Sequence, residues 1–112
     1  MYAVIFKASV AELDEEYTHL AQRLKNLAFE KYGCRDFVSM TEGSEEIAIS
    51  YWDTAQQIRD WKNDPEHRLA QTRGREKWYR SWRVEICEVI GRRNTVPPDP
   101  SAPFGENDTG AK

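Results

Sequence analysis

Apolar side chains recur along this chain in two rhythms, one alternating and one helical. Tyr2 to Ala8 is a short run rich in β-branched and aromatic residues and predicts a first strand. Leu13, Tyr17, Leu20, Ala21, Leu24, Leu27 and Ala28 then follow at steps of three and four, which gathers them on one stripe of a helix. Asp14, Glu15 and Glu16 suit the positive end of that helix's dipole and Lys31 its negative end, and Gly33 supplies the stop. Asp36 to Glu42 and Glu45 to Trp52 are β-prone runs separated by Gly43 and Ser44, the composition of a two-residue hairpin turn. After Asp53 the helical rhythm returns, with Asp53 or Thr54 able to cap and with Ile58 and Trp61 on one side. Pro65 cannot continue a helix but can begin one, so a helix to about Lys62 breaks at Asn63 and Asp64, and a second runs from Pro65 to about Tyr79. Trp82, Val84 and Ile86 alternate with Arg83, Glu85 and Cys87, which predicts a last strand from about Trp82 to Val89 or Ile90.

Strand, helix, hairpin, interrupted helix, strand is the β-α-β-β-α-β order of an α+β ferredoxin-like fold. Its four antiparallel strands carry the helices on one face and leave the other apolar and bare. The expected cover is an identical copy, giving a homodimer through the sheet face and a dimeric α+β barrel. One domain is expected over residues 1–92. Residues 93–112 are dominated by proline and small polar side chains, the composition of a disordered tail on which Phe104 is positioned to dock on a neighbouring subunit.

Composition narrows the function classes. With 39% apolar residues and four tryptophans among 112 residues, the chain can build a core, although a domain of this size buries only roughly 60 to 65% of its unfolded surface. A net charge of -3 argues against a nucleic-acid partner and against an anionic membrane surface. Arg68, Arg73, Arg75, Lys77, Arg80 and Arg83 form a local basic stretch, read as a solvated helix face unless several of them converge on one anion. No run approaches the ~20 apolar residues of a membrane span, and the first residues lack a basic segment and cleavage site, so the cytoplasm is expected. Cys34 and Cys87 are too few for a zinc site and are expected to be reduced packing residues. HExxH, GxxxxGK[ST] and GxSxG patterns are absent, which leaves zinc, phosphate-loop and nucleophile-elbow chemistry without support.

Over about residues 1 to 91 the layout resembles the antibiotic biosynthesis monooxygenase (ABM) domain of the dimeric α+β barrel superfamily. The stretch that carries the likeness is EEIAISYWDTAQQIRDWKNDPEHRLAQTRGREKWYRSWRVEICEV, with Tyr51-Trp52 closing the third strand, a W-K-x-D-P-E-H turn and an R-G-R-E-x-W-Y helix. The resemblance implies a small aromatic substrate held between helices and sheet. In the cofactor-free members the substrate loses a proton, and the electron-rich anion then reacts with oxygen. Their pattern of an amide four residues before a tryptophan and a proton-active side chain six after it falls on Gln57, Trp61 and His67, which are the catalytic residues it implies. The implied pocket adds Tyr51, Gln71, Gly74 and Trp78.

Each of these residues also has a plainer reading. His67 is the better of two histidines for proton transfer, because imidazole titrates near ~6.5, but a first-turn histidine is as often exposed or bonded to Asp64. Trp61 is spaced for core packing against Ile58, with an indole bond to a substrate oxygen as the alternative. His67, Ala70, Gln71, Gly74 and Trp78 share a helix face. On it Gly74 costs roughly 1 kcal/mol against alanine, which points to a close approach by backbone, ligand or a bulky side chain, unless the turn is simply exposed. The haem-degrading members need an asparagine on the first strand and a histidine ten residues after the tryptophan. YAVIFKA has no asparagine and Gln71 stands at the second position, so no cofactor is expected and haem is disfavoured. Two functions remain, a cofactor-independent oxygenase and a non-catalytic dimeric ligand-binding module whose pocket is packed shut by Trp61, Trp78 and Tyr79.

Overall fold

The computed structural model describes residues 1–95. The strands are β1 (Tyr2–Val10), β2 (Asp36–Glu42), β3 (Glu45–Trp52) and β4 (Tyr79–Glu88). The helices are α1 (Glu15–Glu30), α2 (Ala55–Lys62) and α3 (Pro65–Arg73), and α3 runs into a π-helical turn, Gly74–Trp78. The sheet order is β2-β3-β1-β4 with every pairing antiparallel, which is the expected ferredoxin-like α+β fold. Residues 96–112, and with them most of the expected tail and Phe104, lie outside the described residues.

Local chemistry explains the boundaries. The Asp14 carboxylate accepts from Tyr17 N at 2.9 Å and caps α1, and past its last turn Gly33 takes a φ of 81°. Gly43 opens the hairpin turn at φ 59°, a value that glycine reaches without a Cβ clash. Thr54 and Gln57 form a capping box on α2, and Asp64 caps α3 with Pro65 in its first turn.

Two boundaries depart from the sequence pattern. β1 reaches Val10 rather than Ala8, because a register shift between Ser9 and Val10 lets Val10 pair with Tyr79. The last helix ends at Arg73 instead of near Tyr79. Its final turn widens to π geometry, and Tyr79 begins β4 three residues before the expected Trp82.

Residue alternation then sorts the sheet faces. Val4, Phe6, Phe37, Glu46, Ala48, Ser50, Trp82 and Val84 look toward the helices and line the space beneath them. Ile5, Val38, Met40, Ile47, Ile49 and Tyr51 occupy the opposite face, where Val38 and Met40 are 44% and 59% exposed. The core proper gathers at one end, where Val4, Ala28, Cys34, Trp52, Ile58 and Trp61 pack together. Of the two cysteines only Cys34 packs there, since Cys87 is exposed on the chain.

Candidate functional site

At the other end of the helix layer the elements do not close on the sheet. A cavity of about 860 Å³ remains between α1, α3, the π turn and the helix-facing side of the sheet. Its walls are mainly apolar and aromatic, the usual character of a small-molecule site of this size.

Trp61, His67, Gln71, Gly74 and Trp78 all line this cavity, brought together by the kink at Asn63-Asp64 and the shared face of α3. The His67 ring stands edge-on to Trp61 with centroids 4.4 Å apart, and Trp61 in turn meets Trp52 at 5.0 Å and Phe37 at 6.2 Å. Burial, and then the charge of Lys62, push the His67 imidazole down to about 4, so it is neutral at physiological pH. Its tautomer follows from its neighbour. The Gln71 amide nitrogen donates to the Lys62 carbonyl at 3.3 Å, which can only accept, and the same nitrogen lies 3.3 Å from His67 Nδ1. Nδ1 is therefore the acceptor and Nε2 carries the proton.

Three sequence expectations are corrected here. Gln57 does not line the cavity. Its Oε1 accepts from Asp53 N and Thr54 N, both at 3.1 Å, and its amide nitrogen lies so close to Gly33 that an added Cβ would sit 2.6 Å away. Tyr51 belongs to the opposite sheet face, one residue out of step with Ser50 and Trp52. Trp61 lines the site, but its indole N–H is committed to the Leu24 carbonyl at 3.1 Å, which makes it a wall rather than a donor to substrate. The Trp78 indole is likewise held, by Asp14 Oδ1 at 3.1 Å.

Gly74 has a definite cause. A Cβ there would meet the Tyr79 ring at 2.9 Å, so the close approach comes from the first residue of β4. In the basic stretch Arg73 and Lys77 both reach Glu16, at 2.9 Å and 3.7 Å, while Lys77 also meets Asp14 at 2.7 Å and Arg83 meets Glu85 at 3.4 Å. Only Arg73 and Lys77 meet at one carboxylate, that of the chain's own Glu16, and Arg75 alone of the stretch lines the cavity. Among the described residues no cluster of histidine, cysteine and carboxylate side chains is arranged to hold a metal.

Three cavity residues, Lys62, Glu46 and Tyr17, were not expected at the site, and Tyr79 was expected only as a residue that shuts it. Lys62 lines the same end as His67 and makes no ion pair among the described residues, and burial lowers its ammonium from the ordinary value. At the other end Glu46 is buried, and Tyr17 donates its hydroxyl to Glu46 Oε1. Tyr79 lies beside them, its ring centroid 6.4 Å from that of Tyr17, and burial raises both phenols well above their ordinary value. The signal for Glu46 was available in the strand period, since it shares parity with Ser50 and Trp52.

No protein-family model matches the chain. It is 36% identical over 93 residues to YqjZ of Bacillus subtilis (strain 168), a match spanning 82% of each protein. Among solved structures it is similar to a single-site variant of SnoaB, a cofactor-independent oxygenase from Streptomyces nogalater. The TM-score is 0.66 at 15% identity, over 87% of this chain and 97% of that one. It is also similar to a proposed antibiotic biosynthesis monooxygenase from Deinococcus radiodurans, with a TM-score of 0.64 at 14% identity over 87% and 100% of the two chains. At these identities the structures show a common fold.

Proposed function

Because the chain belongs to the protein family of YqjZ and has the fold of the ABM domain, we propose that it is a cofactor-independent monooxygenase acting on a small hydroxylated aromatic substrate. The observation that carries this reading is the 860 Å³ aromatic-walled cavity with neutral His67 and unpaired Lys62 at one end. Oxygenation without a cofactor needs a site that takes a proton from the substrate and stabilises the resulting oxyanion. The Nε2–H of His67 and the ammonium of Lys62 are donors suited to that oxyanion. Trp61 and Trp78 are the flat walls that orient an aromatic ring. The description of SnoaB as a cofactor-independent oxygenase supports the same reading, as does Gln71, whose amide is already bonded where a haem-degrading relative has its ligand.

The alternative, a non-catalytic binding module, requires the pocket to be packed shut by Trp61, Trp78 and Tyr79. The open cavity beneath those rings supports the oxygenase. The reading includes a homodimer through the bare sheet face, where Val38, Met40, Ile47, Ile49 and Tyr51 need a cover. It also includes a cytoplasmic setting with both cysteines as thiols. No helix among the described residues is long and apolar enough to cross a membrane.

Oxygen uptake tests the proposal. Metal-free protein with anthrone should consume dioxygen above the uncatalysed rate, and His67→Ala should slow this by at least about tenfold. Equal rates with and without protein would overturn it, and an unchanged rate in the variant would remove His67 from the mechanism.

A further inference from the structure

The end of the cavity away from His67 holds a carboxylate with one unused oxygen. Glu46 lines the cavity and is 9% exposed. Its Oε1 accepts from the Tyr17 hydroxyl, but Oε2 is buried without a hydrogen-bond partner, the single side-chain atom among the described residues in that position. The nearby cations do not supply one: Arg75 lines the cavity without bonding to Oε2, and Arg73 and Lys77 are paired with Asp14, Glu16 and Glu76. A buried acceptor left unpaired destabilises the fold, so such an atom is expected where a ligand completes it.

The tautomer of His67 leaves a vacancy of role that Glu46 can fill. With Nδ1 engaged by Gln71 and the proton on Nε2, His67 is a donor, and the cavity still needs a group that accepts a proton. We propose that Glu46 Oε2 is the seat of a ligand hydroxyl and the acceptor of its proton. In that step the ligand O–H bond breaks, the Oε2–H bond forms, and the electron pair left on the ligand oxygen delocalises through the ring toward the oxygen function that faces His67 and Lys62. This rests on the oxygenase reading above and narrows its substrate. A hydroxyl carried on an aromatic ring fits this end, since the rings of Tyr17, Trp78 and Tyr79 wall it.

Geometry sets where that hydroxyl lies. Trp61, against which His67 stands, meets Phe37, which pairs with Ser50; Glu46 is four residues back along β3, about 13 Å in an extended strand. The ligand class is therefore a fused aromatic with oxygen functions at both ends, one for Glu46 and one for His67 and Lys62.

The test uses the full chain and three probes: the naphthalene diol with one hydroxyl on each ring at opposite ends, its dimethyl ether, which has no hydroxyl to donate, and the parent naphthol. Calorimetric titration should show the diol binding at least about fivefold tighter than the ether, as for a hydrogen bond to a charged acceptor. The fluorescence of the bound diol should include naphtholate emission, because a naphthol is a strong acid in its excited state and passes its proton to an adjacent carboxylate. Glu46→Gln keeps an acceptor oxygen but is no base, so it should retain the preference and lose the naphtholate signal; Glu46→Leu should lose both. Should the leucine variant fail to fold, the glutamine variant still decides. If all probes bind wild type equally, or the naphtholate signal survives in Glu46→Gln, Glu46 is not the acceptor while the cavity stands. If none binds, the cavity reading falls as well.

Discussion

Replacing His67 by glutamine should remove a specific part of the protein's acid sensitivity. In the folded chain the imidazole is pushed from 6.5 down to about 4, first by burial and then by Lys62, with Asp64 pulling the other way. Well above pH 6.5 neither folded nor unfolded chain binds a proton here, and the group contributes nothing to the pH dependence. Below that value the unfolded chain takes up a proton that the folded chain refuses until about pH 4, so stability falls across this window. The full shift corresponds to roughly 3 kcal/mol, of which about 2 kcal/mol should be lost by pH 5. Asp14 and Asp64 have carboxyls held below the usual range, Asp14 mainly by Lys77 and Asp64 mainly by the Tyr32 hydroxyl, so their losses come at lower pH and occur in both proteins. Urea unfolding at pH 7 and pH 5 reads the difference directly. With a slope of about 1 kcal/mol per molar, the wild-type midpoint should drop by roughly 2 M more than that of His67→Gln. Equal losses in the two proteins would mean a solvated imidazole, and the buried donor at this end of the cavity would have to be abandoned.

Three further substitutions probe the same arrangement. Gly74→Ala places a methyl 2.9 Å from the Tyr79 ring, which is itself packed 5.3 Å from Phe6, and should cost about 1 to 3 kcal/mol in urea unfolding. An unchanged midpoint would show that the π turn yields. Trp61→Phe leaves the Leu24 carbonyl without its 3.1 Å donor and should lower stability by about 1 to 3 kcal/mol. A fall in kcat with stability intact would instead return the indole to the reacting atoms. Met40→Glu puts a charge on the bare sheet face, and light scattering should find it monomeric where the wild type is a dimer; a monomeric wild type would remove the sheet-face partner.

How far the fold was legible depended on how local its causes were. The hairpin limits Asp36–Glu42 and Glu45–Trp52 follow from Gly43 and strand alternation, and the break before Pro65 follows from proline's missing amide hydrogen. The ends of β1 and β4 were not legible, because they rest on a bulge that pairs Val10 with Tyr79 across the molecule. The candidate site divides in the same way. His67, Gln71, Gly74 and Trp78 share a helix face, so spacing alone brings them to one cavity wall. Spacing could not reveal that Gln57 spends its amide on the α2 cap or that Leu24 takes the Trp61 indole. Tyr51 and Glu46 are a different case, since counting parity from Trp52 would have excluded the first and found the second.

The central claim is that this cavity catalyses the insertion of oxygen into a hydroxylated aromatic using only protein side chains. Mass spectrometry of the product formed from anthrone under isotopically labelled dioxygen, with metal-free protein, tests it most directly. One labelled oxygen atom per product molecule, formed faster than without protein and slowed in His67→Ala, is the predicted result. Product that forms no faster with the protein than without it would contradict the account.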